Sequence, residues 1–280
     1  MGVKVYQKGK GKPKQTDYEL INNVFVSKIP FPENNYNFIS QGIERYLYQS
    51  QNEYIKYGEW LAEPRKNVFF DNEKIVIREI VNPRIFATYI KDRAVVKNIA
   101  AVIIEKDKNY SLKYLLALLN SNLMTFYINE QSPKSSNKAY PSFNSKLIKN
   151  LPIKNITLKE QEPFIQKADL MLELNKKLQE LKQNFINELN LEKVSTKLQK
   201  FEELDFDDFV KEYAKAKKLK FADKLEERNF KSEWQRLFEN DKKEVLEIQN
   251  QINITDKEID QMVYKLYDLA PDEIKIVEGV

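Results

Sequence analysis

Few side chains in this sequence are equipped for catalysis, and the exclusions are informative. The chain contains neither histidine nor cysteine. Zinc sites built on those ligands, and nucleophile systems that need a histidine base, are therefore out of reach, and so is a histidine-dependent nuclease. Acidic residues with a nearby lysine could hold Mg²⁺ beside a phosphate, the arrangement of a metal-dependent nuclease. Asp241-Lys242-Lys243 and Pro271-Asp272-Glu273-Ile274-Lys275 hold the letters. The first sits inside a predicted helix and the second at a helix start, without the spacing that places two halves on neighbouring strands. Both read as solvated helix charges. Methylation of an extruded adenine needs Asn/Asp-Pro-Pro followed by an aromatic, whose ring stacks on the base while carbonyls accept from the amine. Asn82-Pro83-Arg84-Ile85 lacks the second proline and the aromatic, and reads as a turn. No glycine occurs between Gly58 and Gly279, so no glycine-rich loop can bring backbone against a phosphate or cofactor there. No catalytic, cofactor-binding or metal-ligating residue is assigned to this chain.

The side chains that remain are suited to binding. Lys8, Lys10, Lys12 and Lys14 alternate along a loop opened by Gly9, Gly11 and Pro13, a pattern that fits phosphate contacts; a mobile solvated terminus has the same composition. Arg78 interrupts the apolar run KIVIREI. Pointing outward from a half-buried strand, its planar fork would read a guanine edge or clamp a phosphate, or else pair with Glu73 or Glu79. Arg84 and Lys97 carry the same two readings. Residues 131–146 gather Lys134, Ser135, Ser136, Asn137, Lys138, Tyr140 and Lys146. Such a loop can enter a groove, with small polar groups on base edges and lysines on phosphates, and an ordinary surface loop is the alternative. Tyr46, Tyr54 and Trp60 read as packing residues.

These groups need elements to hold them. β-Branched runs at 75–80, 85–90 and 99–104 are short enough to be strands, as are 3–7 and 24–26, with the polar stretch 91–98 as a separator. Ser111 can cap a single helix over 112–128, whose leucines recur at three and four residues. From 157 onward the pattern turns helical. Thr157-Leu-Lys-Glu160 has capping-box spacing, and Phe164, Ala168, Met171, Leu174, Leu178, Leu181, Phe185 and Leu189 form the stripe of a long helix that packs as a coiled coil or hairpin. Shorter and longer helices are predicted at 205–217 and 230–252, and Thr255-Asp-Lys-Glu258 predicts a separate helix to 268. The fold class expected is α+β: a sheet-based domain at 1–155 followed by a mostly α-helical extension at 156–280.

Composition agrees with that division. The chain has 280 residues, 42% hydrophobic and 31% charged, as in soluble globular proteins. Its apolar runs fall far short of the ~20 residues of a membrane span, so no membrane partner is expected. No signal-peptide core opens the sequence, and the absence of cysteine fits a cytoplasmic location. Residues 1–158 hold 24 Lys/Arg against 14 Asp/Glu, whereas 159–280 hold 22 against 28. A basic front and an acidic back suit a nucleic-acid binder with a protein-facing tail.

Taken in order, VYQKGKGKPKQT (5–16), GIERY (42–46), YGEWLAEPR (57–65), KIVIREIVNPRIFATYI (74–90), YLLALLNSNLMTFYI (114–128) and FNSKLIKNLPI (143–153) resemble the TaqI-like C-terminal specificity domain of adenine-N6 DNA methyltransferases and fused type IIG restriction enzymes. KLYDLAPDEIKIVEG (265–279) is similar to the end of such enzymes. The resemblance implies a target-recognition domain that clasps duplex DNA opposite a catalytic domain, followed by helices similar to the spacers of type I specificity subunits. It places the loop 8–14, the strand bearing Arg78 and the loop before FNSK toward DNA. The whole enzymes of this family bind S-adenosylmethionine, with Mg²⁺ where they also cleave. Those regions have no counterpart here, so a fragment, a split gene product or a free-standing specificity subunit is expected, working with an N-terminal methyltransferase domain, and a nuclease domain as well where the enzyme cleaves, in cis or in trans. A helical interaction protein without sequence-specific DNA binding is the alternative, and a nuclease with an unrecognised acidic site a further one.

Overall fold

A computed structural model of the chain describes residues 1–132 and 145–279. Its element order is α1 (Asp17–Ile21), β1 (Val26–Ser27), β2 (Asn35–Ile39), β3 (Ile43–Glu44), β4 (Leu47–Tyr48), β5 (Tyr54–Lys56), α2 (Val68–Asp71), β6 (Lys74–Arg78), β7 (Ala87–Ile90), β8 (Ala94–Val96) and β9 (Ala100–Ile104), then α3 (Leu112–Leu119), α4 (Asn122–Gln131), α5 (Ser145–Lys149), α6 (Leu158–Glu188), α7 (Thr196–Gln199), α8 (Phe206–Lys217), α9 (Lys224–Leu266) and α10 (Pro271–Glu278). Strands followed by helices make this an α+β chain. It divides into two compact units, Met1–Leu172 with Lys257–Val280, and Glu173–Asp256.

The first unit is built on short sheets. One runs β1-β5-β2-β8, with β8 parallel to β2 and the other pairs antiparallel; a second runs β7-β6-β9, all antiparallel. The 91–98 stretch, expected as a separator, supplies β8. Ala94, Val95 and Val96 are buried there although charged residues precede and follow them, because pairing with β2 needs only three residues. The run 3–7 makes isolated bridges, Val3 to Lys97 and Lys4 to Glu63, rather than a full strand. β6 is the central strand of its sheet, and Lys74, Ile75, Val76 and Ile77 are all buried, so it is covered on both faces rather than one. Val76 joins Ile39, Ile43, Ile90, Ala94, Val96 and Ala100 in one core, and α3 packs against β6 and β7. A second core, around Val3, Val5, Phe25, Phe38, Ile55 and Leu61, lies on the first sheet.

The predicted helix over 112–128 is two helices. Ser111 caps the first as expected, its hydroxyl accepting from Lys113 N at 3.2 Å. Asn120 then ends it: its side chain accepts from Ala87 N at 3.1 Å and donates to Ala87 O at 3.0 Å, completing the backbone of β7. Ser121 caps the second helix through Met124 N at 3.3 Å. Both residues are fully buried. The apolar pattern continues past the break because α4 buries Met124 and Ile128 after the buried leucines of α3.

The Thr157–Glu160 capping box forms within the first unit, with Thr157 N donating to Glu160 Oε2 at 2.8 Å, and opens α6. The second unit is helical, and Phe185, Leu189, Leu198, Phe201, Phe209 and Phe238 make its core. α8 occupies the 205–217 segment, capped by Asp205. The separate helix expected from Thr255 is absent: α9 runs unbroken for 43 residues. Thr255 is buried and lies on the stripe Val245, Ile248, Ile252, Thr255, Ile259, Val263. No glycine or proline interrupts residues 224–266, so the letters of a capping box here belong to a helix interior.

Candidate nucleic-acid interface

The basic loop at 8–14 is a built structure. Gln15, 3% exposed, holds it from beneath. Its amide donates to Val5 O and Trp60 O, each at 2.8 Å, and its carbonyl oxygen accepts from Gln7 N at 2.8 Å. The backbone closes the loop on the same residue, with Gln15 N donating to Lys10 O at 2.7 Å and Gly9 N to Gln15 O at 3.1 Å. Lys12 N reaches Glu59 O at 2.7 Å. Gly11 has φ +87°, and a Cβ there would stand 2.3 Å from Trp60 O, so only glycine fits this approach. Trp60 in turn packs its ring over Gly58 and against Phe25, and donates from Nε1 to Lys56 O at 3.0 Å. The loop therefore presents Lys10, Lys12 and Lys14 outward, exposed and without a carboxylate partner among the described residues. Lys8 differs, pairing with Asp17 at 2.6 Å.

The remaining expected residues fall in different places. Arg78 is half-buried and turned inward. It donates to Ile43 O at 2.6 Å, pairs with Glu44 at 2.8 Å and lies 4.2 Å from the centre of the Phe86 ring. Its ion-pair partner is Glu44, brought close by tertiary folding, rather than the sequence neighbours Glu73 or Glu79. Arg84 braces the α3–α4 junction, donating to Asn120 O at 2.9 Å beside Asp260 at 3.6 Å. Asp260, 4% exposed, accepts from Asn122 N at 2.7 Å and Asn122 Nδ2 at 2.8 Å, which fills the open N-terminus of α4. Lys146 is exposed on α5. Lys134, Ser136, Asn137, Lys138 and Tyr140 lie outside the described residues. Tyr46 is buried, and Tyr54 and Trp60 are half-buried packing residues.

Lys97 lies on a cleft of about 460 Å³ that Tyr6, Asn23, Ser40, Gln41 and Glu53 also line. Burial alone pushes the Glu53 carboxyl up, but the Ser40 hydroxyl, Lys28 and Lys97 outweigh it and hold the group below its ordinary value. The cleft thus brings a carboxylate, a lysine and two amides together alongside the apolar side chains of Val5, Val26 and Phe38.

Sequence reasoning located the lysines but not what fixes them. α1 was not among the elements read from the sequence, although Thr16-Asp-Tyr-Glu19 carries the capping-box spacing that could have found it, and Thr16 N does donate to Glu19 Oε2 at 2.7 Å. Nothing local marks Gln15 as buried, because its partners are ten and 45 residues away. The acidic segments behave as helix charges: Asp241 lies within α9, and Asp272 and Glu273 open α10 after Pro271. Among the described residues no cluster of acids could hold a metal ion, and no helix is long and apolar enough to cross a membrane.

Residues 38–153 match the family model described as the TaqI-like C-terminal specificity domain. This part of the chain is similar to that domain. The TaqI-like range begins within β2 and runs through α5; the basic loop at 8–14 lies outside it, with α1 and β1 in between. Residues 157–263 match a second model, a domain of unknown function (DUF8810). Among solved structures, the chain is similar to the Type IIL restriction-modification enzyme MmeI in complex with DNA, at 12% identity and a TM-score of 0.39, over 63% of this chain and 28% of that one. The chain therefore spans little more than a quarter of that enzyme. No curated protein matches it in sequence.

Proposed function

We propose that this chain is the sequence-specific duplex-DNA recognition module of a restriction–modification system, and that it directs adenine-N6 methylation by a catalytic domain outside these 280 residues. The observation that carries the reading is the match of residues 38–153 to the TaqI-like specificity domain. The geometry supports it: a pinned loop holds Lys10, Lys12 and Lys14 in solvent, where they can neutralise phosphates, and the cleft at Lys97 presents polar groups of the kind that discriminate base edges. Arg78 and Arg84 serve the scaffold, through Glu44 and Asp260. S-adenosylmethionine, and Mg²⁺ if the system also cleaves, belong to the catalytic partner, joined in cis or in trans, in a cytoplasmic system of the type IIG kind.

The test is selection of bound duplexes from a random pool by the full chain, followed by affinity measurements over a salt series. A consensus sequence should emerge, and log K should fall steeply with log salt. Replacing Lys10, Lys12 and Lys14 with alanine should flatten that slope by up to about 2.7, at roughly 0.9 per phosphate contact, with the consensus unchanged. A chain that binds no duplex at low ionic strength would end this reading.

A further inference from the structure

The three most exposed large hydrophobic side chains among the described residues are Ile21 (77%), Ile29 (75%) and Tyr18 (69%). Tyr18 and Ile21 follow closely on the basic loop, and Ile29 lies further on, after β1. Tyr18 and Ile21 are three residues apart on α1, so they share one helical face. That helix is fixed at both ends. The Thr16–Glu19 capping box closes its start, and the Asn22 amide donates to Tyr18 O at 2.8 Å at its end. The Lys8–Asp17 pair lays the basic loop against its first turn. Ile29 stands on the next loop, which is also held: Ile29 N donates to Ser27 Oγ at 2.9 Å and Lys28 Nζ to Gln51 O at 2.8 Å. Single exposed apolar side chains are ordinary on a folded surface; here the three most exposed lie within fifteen residues of a loop whose Lys10, Lys12 and Lys14 have no carboxylate partner among the described residues.

We infer that Tyr18 and Ile21 form a wedge that enters a groove of duplex DNA and partly unstacks a base step, while Lys10, Lys12 and Lys14 hold the flanking phosphates. The inference rests on the DNA-binding reading above. Charge favours DNA over a protein partner: from 8 to 21 four lysines stand against Asp17 and Glu19, Lys8 pairs with Asp17, Glu19 is turned back onto Thr16, and the other three lysines lack a carboxylate among the described residues. Apolar side chains inserted between base steps kink the duplex, and adjacent cations stabilise the bent backbone. Tyrosine suits the position because its ring stacks on a base while its hydroxyl stays in water.

The experiment uses the full chain and the duplex that the wild type selects from a random pool, labelled at its ends for energy transfer and carrying 2-aminopurine at successive steps. Wild type should bend the duplex and raise 2-aminopurine fluorescence at one step. Tyr18→Ala with Ile21→Ala should weaken binding roughly tenfold, the scale of one lost stacking contact, and abolish the fluorescence change. The salt slope should stay the same, since no charge is lost. Tyr18→Phe should restore wild-type behaviour. Equal affinity and equal bending in the double variant would overturn the inference while leaving the DNA reading intact. It would also be overturned if the double variant lost only association with a methyltransferase domain. If the wild type binds no duplex, the functional reading itself fails, and the wedge with it.

Discussion

Gln15 provides a sharp test of whether the basic loop is held as described. Gln15→Met keeps the length of the side chain and its apolar stem, and removes three hydrogen bonds at 2.8 Å. Val5 O, Trp60 O and Gln7 N are then left against an apolar group. A typical intramolecular hydrogen bond contributes roughly 1 kcal/mol net, and more where the abandoned partner stays buried, so the loss should total about 3 kcal/mol. Because those bonds close one loop, the effect should appear first as local opening of residues 7–15. An energy of that size corresponds to about a hundredfold in the opening constant. Hydrogen exchange reads this directly at the amides of Gly9, Lys12 and Gln15, whose acceptors are Gln15 O, Glu59 O and Lys10 O. Their protection should fall about a hundredfold, while amides of the central strand β6 change little. DNA affinity should fall too, although every lysine remains, because the loop must then be ordered on binding. Protection within twofold of wild type would refute the argument, since it would mean that Gln15 does not hold the loop.

Three further outcomes follow from the same structure. Gly11→Ala forces a Cβ to within 2.3 Å of Trp60 O at φ +87°, and should destabilise the loop by roughly 1–2 kcal/mol from the backbone conformation alone, again read by exchange at Lys12. Asp260→Ala removes the acceptor for Asn122 and the partner of Arg84, and should cost about 3–5 kcal/mol in urea denaturation, as breaking a buried charged network does; a loss below 1 kcal/mol would contradict its role at the α4 terminus. Lys74 is fully buried, and burial pushes its ammonium down to about 8, with Asp92 and Asp71 opposing. The folded pKa lies below the unfolded one, so stability rises as pH climbs from about 8 towards the ordinary 10.5. Lys74→Met should therefore be more stable than wild type at pH 7, by up to about 3 kcal/mol less the lost bond to Asp92 O, and the advantage should shrink by pH 10.

The parts legible in the sequence were those with short-range causes. Ser111 and Thr157 mark helix starts because a cap acts over three residues. The stripe of α6 reads correctly because helical spacing is set locally, even though Phe164 packs on Tyr114 in the first unit and Phe185 in the core of the second. The breaks failed for the opposite reason. Asn120 ends α3 by bonding to Ala87, 33 residues earlier, and Thr255 keeps α9 going because its side chain lies on a buried stripe. β8 was hidden in a polar stretch since its pairing partner β2 lies far upstream. For the candidate interface, the lysines at 10, 12 and 14 were legible as a basic loop, whereas Arg78 and Arg84 were ambiguous. Their partners, Glu44 and Asp260, are remote in sequence.

By itself, then, the order of residues determined where charge accumulates and that a sheet-forming front leads into a helical back. Those follow from residue type and local periodicity, which act within a turn or a strand. Tertiary structure alone decided which cations face solvent and which are spent inside. An arginine in an apolar strand can point either way until the fold supplies a carboxylate, and a lysine-rich terminus is loose until a buried amide ties it down.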